Sequence, residues 1–309
     1  MRFELKTDHL LEDNLPQIYR KQIKAALRVV GGGLEPNDTR VHAIRKHLKR
    51  TRAVLDLVRK RTGRRCFRRQ DRWLRDVGRS IRQIRDAEVR LFTLRHLEDE
   101  IHHHYLSYQK IERLLALESE SFNAAFDGWE HNAMRLLNKA RRAAKKWPVR
   151  HYRKKDFRKA LRRGYRCGCK ALIAVVADPS IPNLHNLRKH VKRLGYQVQL
   201  LRSLNPVGVA RVGDELTGLG DLLGDLHDLS FLAERLCLER GERHWGIQDE
   251  QLLAMMNRKQ RKLRTNGIEI AARFFRQTPR EFALRTKRWL ESGVRELDYR
   301  IAMVELTAG

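Results

Sequence analysis

Apolar residues recur along most of the chain at the three- and four-residue spacing of an amphipathic helix, and strict strand-like alternation is rare. Val41, Ile44, Leu48, Leu55 and Val58, with Thr51 completing the row, form one stripe, and Leu184, Leu187, Val191, Leu194 and Val198 form another. Few β-branched runs, 7 prolines in 309 residues and long stretches of Arg, Leu, Ala, Lys and Glu extend the helical reading to nearly the whole chain. The expected fold class is all-α. Breaks at Gly31-Gly32-Gly33 through Pro36, Trp147-Pro148, Pro179 to Pro182, Asn205-Pro206, Gly241 to Gly246 and Thr278-Pro279 give about eight helical segments. No Lys-Ser/Thr follows the three glycines, so they read as the stop of the first helix rather than as a phosphate-binding loop.

An internal repeat organises these segments. His42-Ala-Ile-Arg45-Lys46-His47-Leu48-Lys49-Arg50 recurs as His185-Asn-Leu-Arg188-Lys189-His190-Val191-Lys192-Arg193. Each copy follows a Pro and a polar cap, Pro36-Asn37-Asp38 before the first and Pro182-Asn183 before the second, so each opens a helix. Further on, Leu74 to Gly78 leads to Ile84-Arg85-Asp86, and Leu216 to Gly220 leads to Leu226-His227-Asp228. The chain therefore reads as a duplicated unit of about four helices, residues 1–148 and 149–309, with the boundary at the basic stretch around Trp147-Pro148.

Charge then changes the picture. There are 66 Lys and Arg against 37 Asp and Glu, a net charge of +29, on a chain that is 41% hydrophobic and so able to bury a core. That excess exceeds what solubility needs and points to a polyanionic partner. It is also ordered. His42, Arg45, Lys49 and Arg52 stand a quarter turn from the first apolar stripe, and His185, Arg188 and Lys192 stand in the same place beside the second. Arg65, Arg68, Arg72, Arg75, Arg79 and Arg82 keep the same spacing on what reads as one long helix, and most are expected to find no acid partner one turn away. Solvated faces normally mix both signs, so this stripe is expected to be a polyanion site. Weaker basic rows occur at Arg20, Lys24 and Arg28 and at Lys155, Arg158, Arg162, Arg166 and Lys170. The corresponding stretch of the second half, Arg211, Asp214, Asp221, Asp225 and Asp228, is largely acidic, so the first half is expected to carry more of the binding.

The motif His42-x-x-Arg45-x-x-x-Lys49-x-x-Arg52, its echo at His185-x-x-Arg188-x-x-x-Lys192, and Arg85-Asp86 and His227-Asp228 on the following helices resemble the CHAD family, the conserved histidine α-helical domain. The resemblance runs from about residue 10 to the C-terminus, in a stand-alone form. Only Glu4-Leu5-Lys6 hints at the signature of the triphosphate tunnel domain often joined to this family, and the stretch before His42 is too short for a catalytic barrel. The resemblance implies two four-helix bundles related by a pseudo-twofold axis, with a basic central channel that binds inorganic polyphosphate and performs no catalysis. Arg, with its planar fork, and Lys, as a mobile point charge, suit such a ligand. The matching positions are His42, Arg45, Lys49, Arg52, His185, Arg188 and Lys192, and Lys46, Arg50, Lys189 and Arg193 accompany them in the two copies. Arg72, Arg75, Arg79 and Arg82 join from the stripe, and Arg20, Lys24, Arg158, Arg162 and Arg166 from the weaker rows. Gly195 stands where a second Arg is expected. His42 and His185 either add a pH-dependent charge beside phosphate or hydrogen-bond as neutral rings at the bundle seam.

Two rivals remain on sequence grounds. Non-specific nucleic-acid binding explains the charge, but aromatics are 7% and none interleave regularly with the basic rows. A metal-dependent phosphohydrolase would need converging ligands, whereas His42 and His47, like His185 and His190, are spaced five apart on different helix faces, and His102, His103 and His104 splay around a helix. No metal or cofactor is expected. Asp86 and Asp228 are expected to pair with Arg or His across the bundle rather than to act as catalytic carboxylates, and Met255-Met256 and the Trp residues to serve as core. Cys66, Cys167, Cys169 and Cys237 form no disulfide or zinc pattern. With no signal-like apolar start and ALIAVVA at 171–177 as the longest apolar run, the expectation is a cytoplasmic protein without membrane contact, associated with polyphosphate granules where these exist.

Overall fold

The computed structural model describes residues 3–7, 9–32, 40–97, 106–124, 128–240 and 247–291, and among them every regular element is a helix. In chain order these are α1 (Leu11–Val30), α2 (Arg40–Leu57), α3 (Arg59–Ser80), α4 (Arg82–Arg95), α5 (Leu106–Ala124), α6 (Trp129–Ala144), α7 (Lys154–Ala177), α8 (Ile181–Gln199), α9 (Pro206–Arg240), α10 (Ile247–Phe274) and α11 (279–291). The predicted stripes on α2 and α8 are buried throughout, with Ile44, Leu55, Leu187, Val191 and Val198 wholly so.

The extra helices come from breaks that carry no Pro. Gly63, at φ 77°, interrupts α3 in the left-handed region that glycine adopts without strain. Ile81 leaves helical geometry with its side chain fully buried, while the Ser80 hydroxyl donates to the Val77 carbonyl and competes with the helix's own bonding. Arg82 therefore begins α4 and does not continue the α3 stripe, so the row of six arginines is broken after Arg79. At α1 the stop is as expected: the Gly31 N–H donates to Leu27 O at 3.0 Å and Gly32 takes φ 96°. Pro36-Asn37-Asp38, Gly33, His102 to His104 and Gly241 to Gly246 lie outside the described residues. Before α8 the cap position is Ser180, not Asn183; Pro182 sits in the first turn, and the Asn183 amide donates to Asp178.

In the first half α1 packs on α2 and α6, and α3 packs on α2 and α6; in the second, α7 and α9 flank α8, and α10 packs on α9 and α7. The main contacts that join the halves are α2 against α8 and α4 against α9, and α2 also touches α7. Across the first seam the buried Gln197 amide donates to Ala53 O at 3.3 Å and Asp56 Oδ2 at 3.1 Å, and Arg163 donates to Asp56 O at 2.6 Å. The segment before α1 ties on as well. Leu5 N–H donates to Leu200 O, and Ser203 Oγ donates to Leu5 O. Phe3 is buried edge-on to Tyr196, with centroids 6.3 Å apart. One apolar core thus runs from Phe3 to Leu290, and a smaller one, from Leu94, Tyr108 and Leu115 to Leu229, Leu232 and Met256, lies where α4, α5, α9 and α10 meet. The Trp147-Pro148 boundary falls in the connection between α6 and α7.

Candidate functional site

Burying the apolar stripes of α2 and α8 against their neighbours turns the adjoining basic rows toward each other at the seam, and α4 and α9 close the other sides. Arg45 and Lys49 of α2 meet Arg188 and Lys192 of α8, and Arg85 of α4 joins them. The Arg85 guanidinium donates to Asp86 Oδ1 at 3.0 Å and, across the halves, to Asp228 Oδ1 at 3.1 Å. Lys192 Nζ donates to Asp221 Oδ1 at 2.6 Å. Two glycines one turn apart on α9 make room for this crowd: a Cβ on Gly220 would stand 2.7 Å from Lys192 Cδ, and one on Gly224 would stand 2.8 Å from Arg188 Nη2.

Crowding has electrostatic consequences. Burial, and then Arg188, Arg45, Arg85 and Lys192 in that order, push the Lys49 ammonium down to about 7. Burial and then Arg85 lower Arg45 to about 10, with Asp86 and Asp228 opposing. Arg188 is lowered chiefly by burial, and its Nε is buried without a hydrogen-bond partner. Asp225 is raised by burial and by its neighbours Asp228 and Asp221. The carboxylates of α9 therefore partly neutralise the cluster, to which the second half contributes Arg188 and Lys192 and the first Arg45, Lys49 and Arg85.

His185 packs on His227 with ring centroids 4.5 Å apart, and neither Nδ1 finds a hydrogen-bond partner. Burial and then His227, Lys189 and Arg188 push His185 down to about 4, and burial likewise lowers His227. These causes favour a neutral His185 ring around pH 7 in the absence of an anion. His42 lies exposed at the start of α2.

Other predicted residues lie outside the cluster. Arg52 pairs with Asp71 at 2.8 Å and Arg75 pairs with the same carboxylate at 3.2 Å; Arg79 pairs with Asp76, and Arg82 with Asp86. The stripe is thus not short of acids one turn away, contrary to expectation, although Arg65, Arg68 and Arg72 are exposed on it. Arg50 stacks over the Phe3 ring at 5.2 Å beside Tyr196. Lys46 and Arg193 are half-buried and Lys189 is exposed on their helices. Arg158, Arg162 and Arg166 lie along α7, the last two exposed, and Arg20 and Lys24 face α6 from α1. Arg85, Asp221, Gly220 and Gly224 belong to the site but not to the predicted set. Arg85-Asp86 and His227-Asp228 did stand out as motifs, and the glycine spacing on α9 was the remaining signal.

A family model described as CHAD domain matches residues 17–237. The chain belongs to the CHAD family. Among solved structures it is similar to PptA from Streptomyces chartreusis, with a TM-score of 0.65 at 15% identity over 86% of this chain and 99% of that one. It is also similar to the CHAD domain from the plant Ricinus communis, with a TM-score of 0.60 at 17% identity over 89% of this chain and 96% of that one. Curated proteins provide no match. CHAD membership and the arrangement of Arg45, Lys49, Arg85, Arg188 and Lys192 are compatible with a polyanionic ligand. Among the described residues of this CHAD protein, no helix is long and apolar enough to cross a membrane, and no three His, Cys, Asp or Glu side chains gather as metal ligands. All four cysteines are free thiols.

Proposed function

We propose that this CHAD protein binds inorganic polyphosphate, without turning it over, at the seam where Arg45, Lys49, Arg85, Arg188 and Lys192 converge. The observation that carries this reading is the convergence itself: five cations from α2, α4 and α8, drawn from both halves, close enough to depress the Lys49 ammonium to about 7. An incoming phosphate relieves that repulsion, and the guanidinium forks supply paired charge-assisted hydrogen bonds to its oxygens. In this reading the two repeats are related by a pseudo-twofold axis and their basic rows line a channel suited to a thin, flexible chain. The exposed α3 arginines extend the charged surface beyond its mouth. Binding of this kind brings a cytoplasmic protein to polyphosphate granules where the cell forms them.

The test is competition between long-chain polyphosphate and duplex DNA at equal total charge and near-physiological salt, where non-specific DNA binding is weak. Polyphosphate is expected to win by orders of magnitude, and R45E/K49E to abolish its advantage. Because Arg45 and Lys49 are half-buried, K192Q serves as a milder variant, with helicity checked by circular dichroism. Equal competition by DNA makes the protein a general polyanion binder and overturns the reading. Shortening of the polyphosphate during incubation would refute the non-catalytic part.

A further inference from the structure

We propose that the cleft between α1 and α6 is a second anion site, separate from the seam cluster, that takes a compact condensed phosphate of at least three linked units. The cleft has a volume of about 420 Å³ and is lined by Gln17 and six cations: Arg20, Lys21 and Lys24 of α1, and Arg141, Arg142 and Lys145 at the end of α6. The two helices run antiparallel, since Gly31 at the end of α1 lies against Met134 near the start of α6 while residues 17–24 face 141–145. Each helix contributes cations at positions i, i+1 and i+4, so two matched sets flank one apolar seam.

No ion pair among the described residues neutralises them. No carboxylate lines the cleft, and among the described residues none of the six is ion-paired. Glu12 and Asp13 lie in the adjoining hollow around Trp147, where Glu12 accepts from the His151 N–H. Arg20 and Lys145 line both hollows, and the Arg20 Nε is buried without a hydrogen-bond partner. Basic residues in the last turn of α6 gain from the helix dipole, but Arg20, Lys21 and Lys24 stand in the middle of α1, where no dipole favours them and like charges one turn apart repel. In the seam cluster, by contrast, Asp86 and Asp228 hold Arg85, and Asp221 holds Lys192. Six unmatched charges in a space this size are complementary to several linked phosphates, and Arg and Lys together supply the donors.

The experiment is lysine-acylation footprinting of the full-length protein with inorganic tripolyphosphate at constant ionic strength. Acylation of Lys21, Lys24 and Lys145 is expected to slow severalfold and saturably, while exposed Lys60 and Lys170 stay unchanged. The same protection is expected in K49Q/K192Q, which disables the seam cluster, so failure of either site is read separately. K24Q/R142Q, at exposed positions that leave the core intact, is expected to weaken tripolyphosphate binding about tenfold. Three outcomes overturn the proposal: unprotected cleft lysines, equal protection by sulfate at matched ionic strength, or protection by long chains alone, which would make the cleft an extension of the seam site.

Discussion

At pH 7 the Lys49 ammonium, held down to about 7 by burial and by Arg188, Arg45, Arg85 and Lys192, is divided between its charged and neutral forms. A bound polyanion favours the charged form and raises that value toward the ordinary 10.5. Binding at pH 8 is therefore expected to take up as much as one proton through Lys49, and at pH 6, where Lys49 is already charged, almost none. Calorimetry in buffers of different ionisation enthalpy measures this directly, and the uptake should vanish in K49M. The same depression sets a stability trend in the unliganded protein. Between pH 7 and 10.5 the unfolded chain binds more protons at this position than the folded one, so Lys49 contributes stability that increases as pH rises through that window. A melting temperature for wild type, relative to K49M, that falls from pH 7 to 9 would contradict it. His185, held down to about 4, starts further from this range than Lys49 does. The basic rows were legible from spacing alone at Arg45, Lys49, Arg188 and Lys192. The direction of the Arg85 side chain was not, because periodicity tells which face a residue occupies and is silent on what crosses that face.

Helix α9 shows how small residues shape the site. Ala at an interior helical position is favoured over Gly by about 1 kcal/mol, and the atom that a Cβ at 224 would meet is the mobile end of Arg188. Gly224→Ala is thus expected to leave thermal stability unchanged or raised while lowering polyphosphate affinity severalfold, because the guanidinium must move; unchanged affinity would show that its position is unimportant. Gly168→Ala provides the contrast. A Cβ there would stand 2.4 Å from the Phe275 ring, which is buried beside Tyr165, itself stacked on Phe282 at 4.3 Å. An aromatic ring so enclosed has nowhere to go, and a loss of about 1 to 3 kcal/mol is expected by denaturant titration. The helices themselves were readable because Pro and Gly punctuate most of their ends. The break at Ile81 was not, since it arises from a buried Ile and a Ser hydroxyl in a stretch that keeps perfect helical periodicity. Its counterpart α9 runs on without interruption.

Both halves share one core, the segment before α1 is fastened to the end of α8, and Asp56, Gln197 and Arg163 bind across the seam. Heating is therefore expected to give a single cooperative transition, coincident by circular dichroism and tryptophan fluorescence, despite the duplicated sequence. Two separated transitions would mean that the halves fold as independent units. Sequence similarity between the halves carries no information on how much surface they bury against each other. The net charge of +29 likewise announced a polyanion without showing that its densest part is matched internally. Asp86, Asp228 and Asp221 hold the heads of Arg85 and Lys192 in the unliganded protein. If the seam binds polyphosphate as proposed, these tethered carboxylates act as built-in competitors, present at an effective concentration that a dissolved monovalent anion cannot match. A single phosphate must displace them alone, whereas linked phosphates displace them in succession, each step raising the local concentration for the next. In the proposed reading the acids among the bases thus work as a valency filter, tuning the seam to count charges on one chain rather than to collect anions from solution.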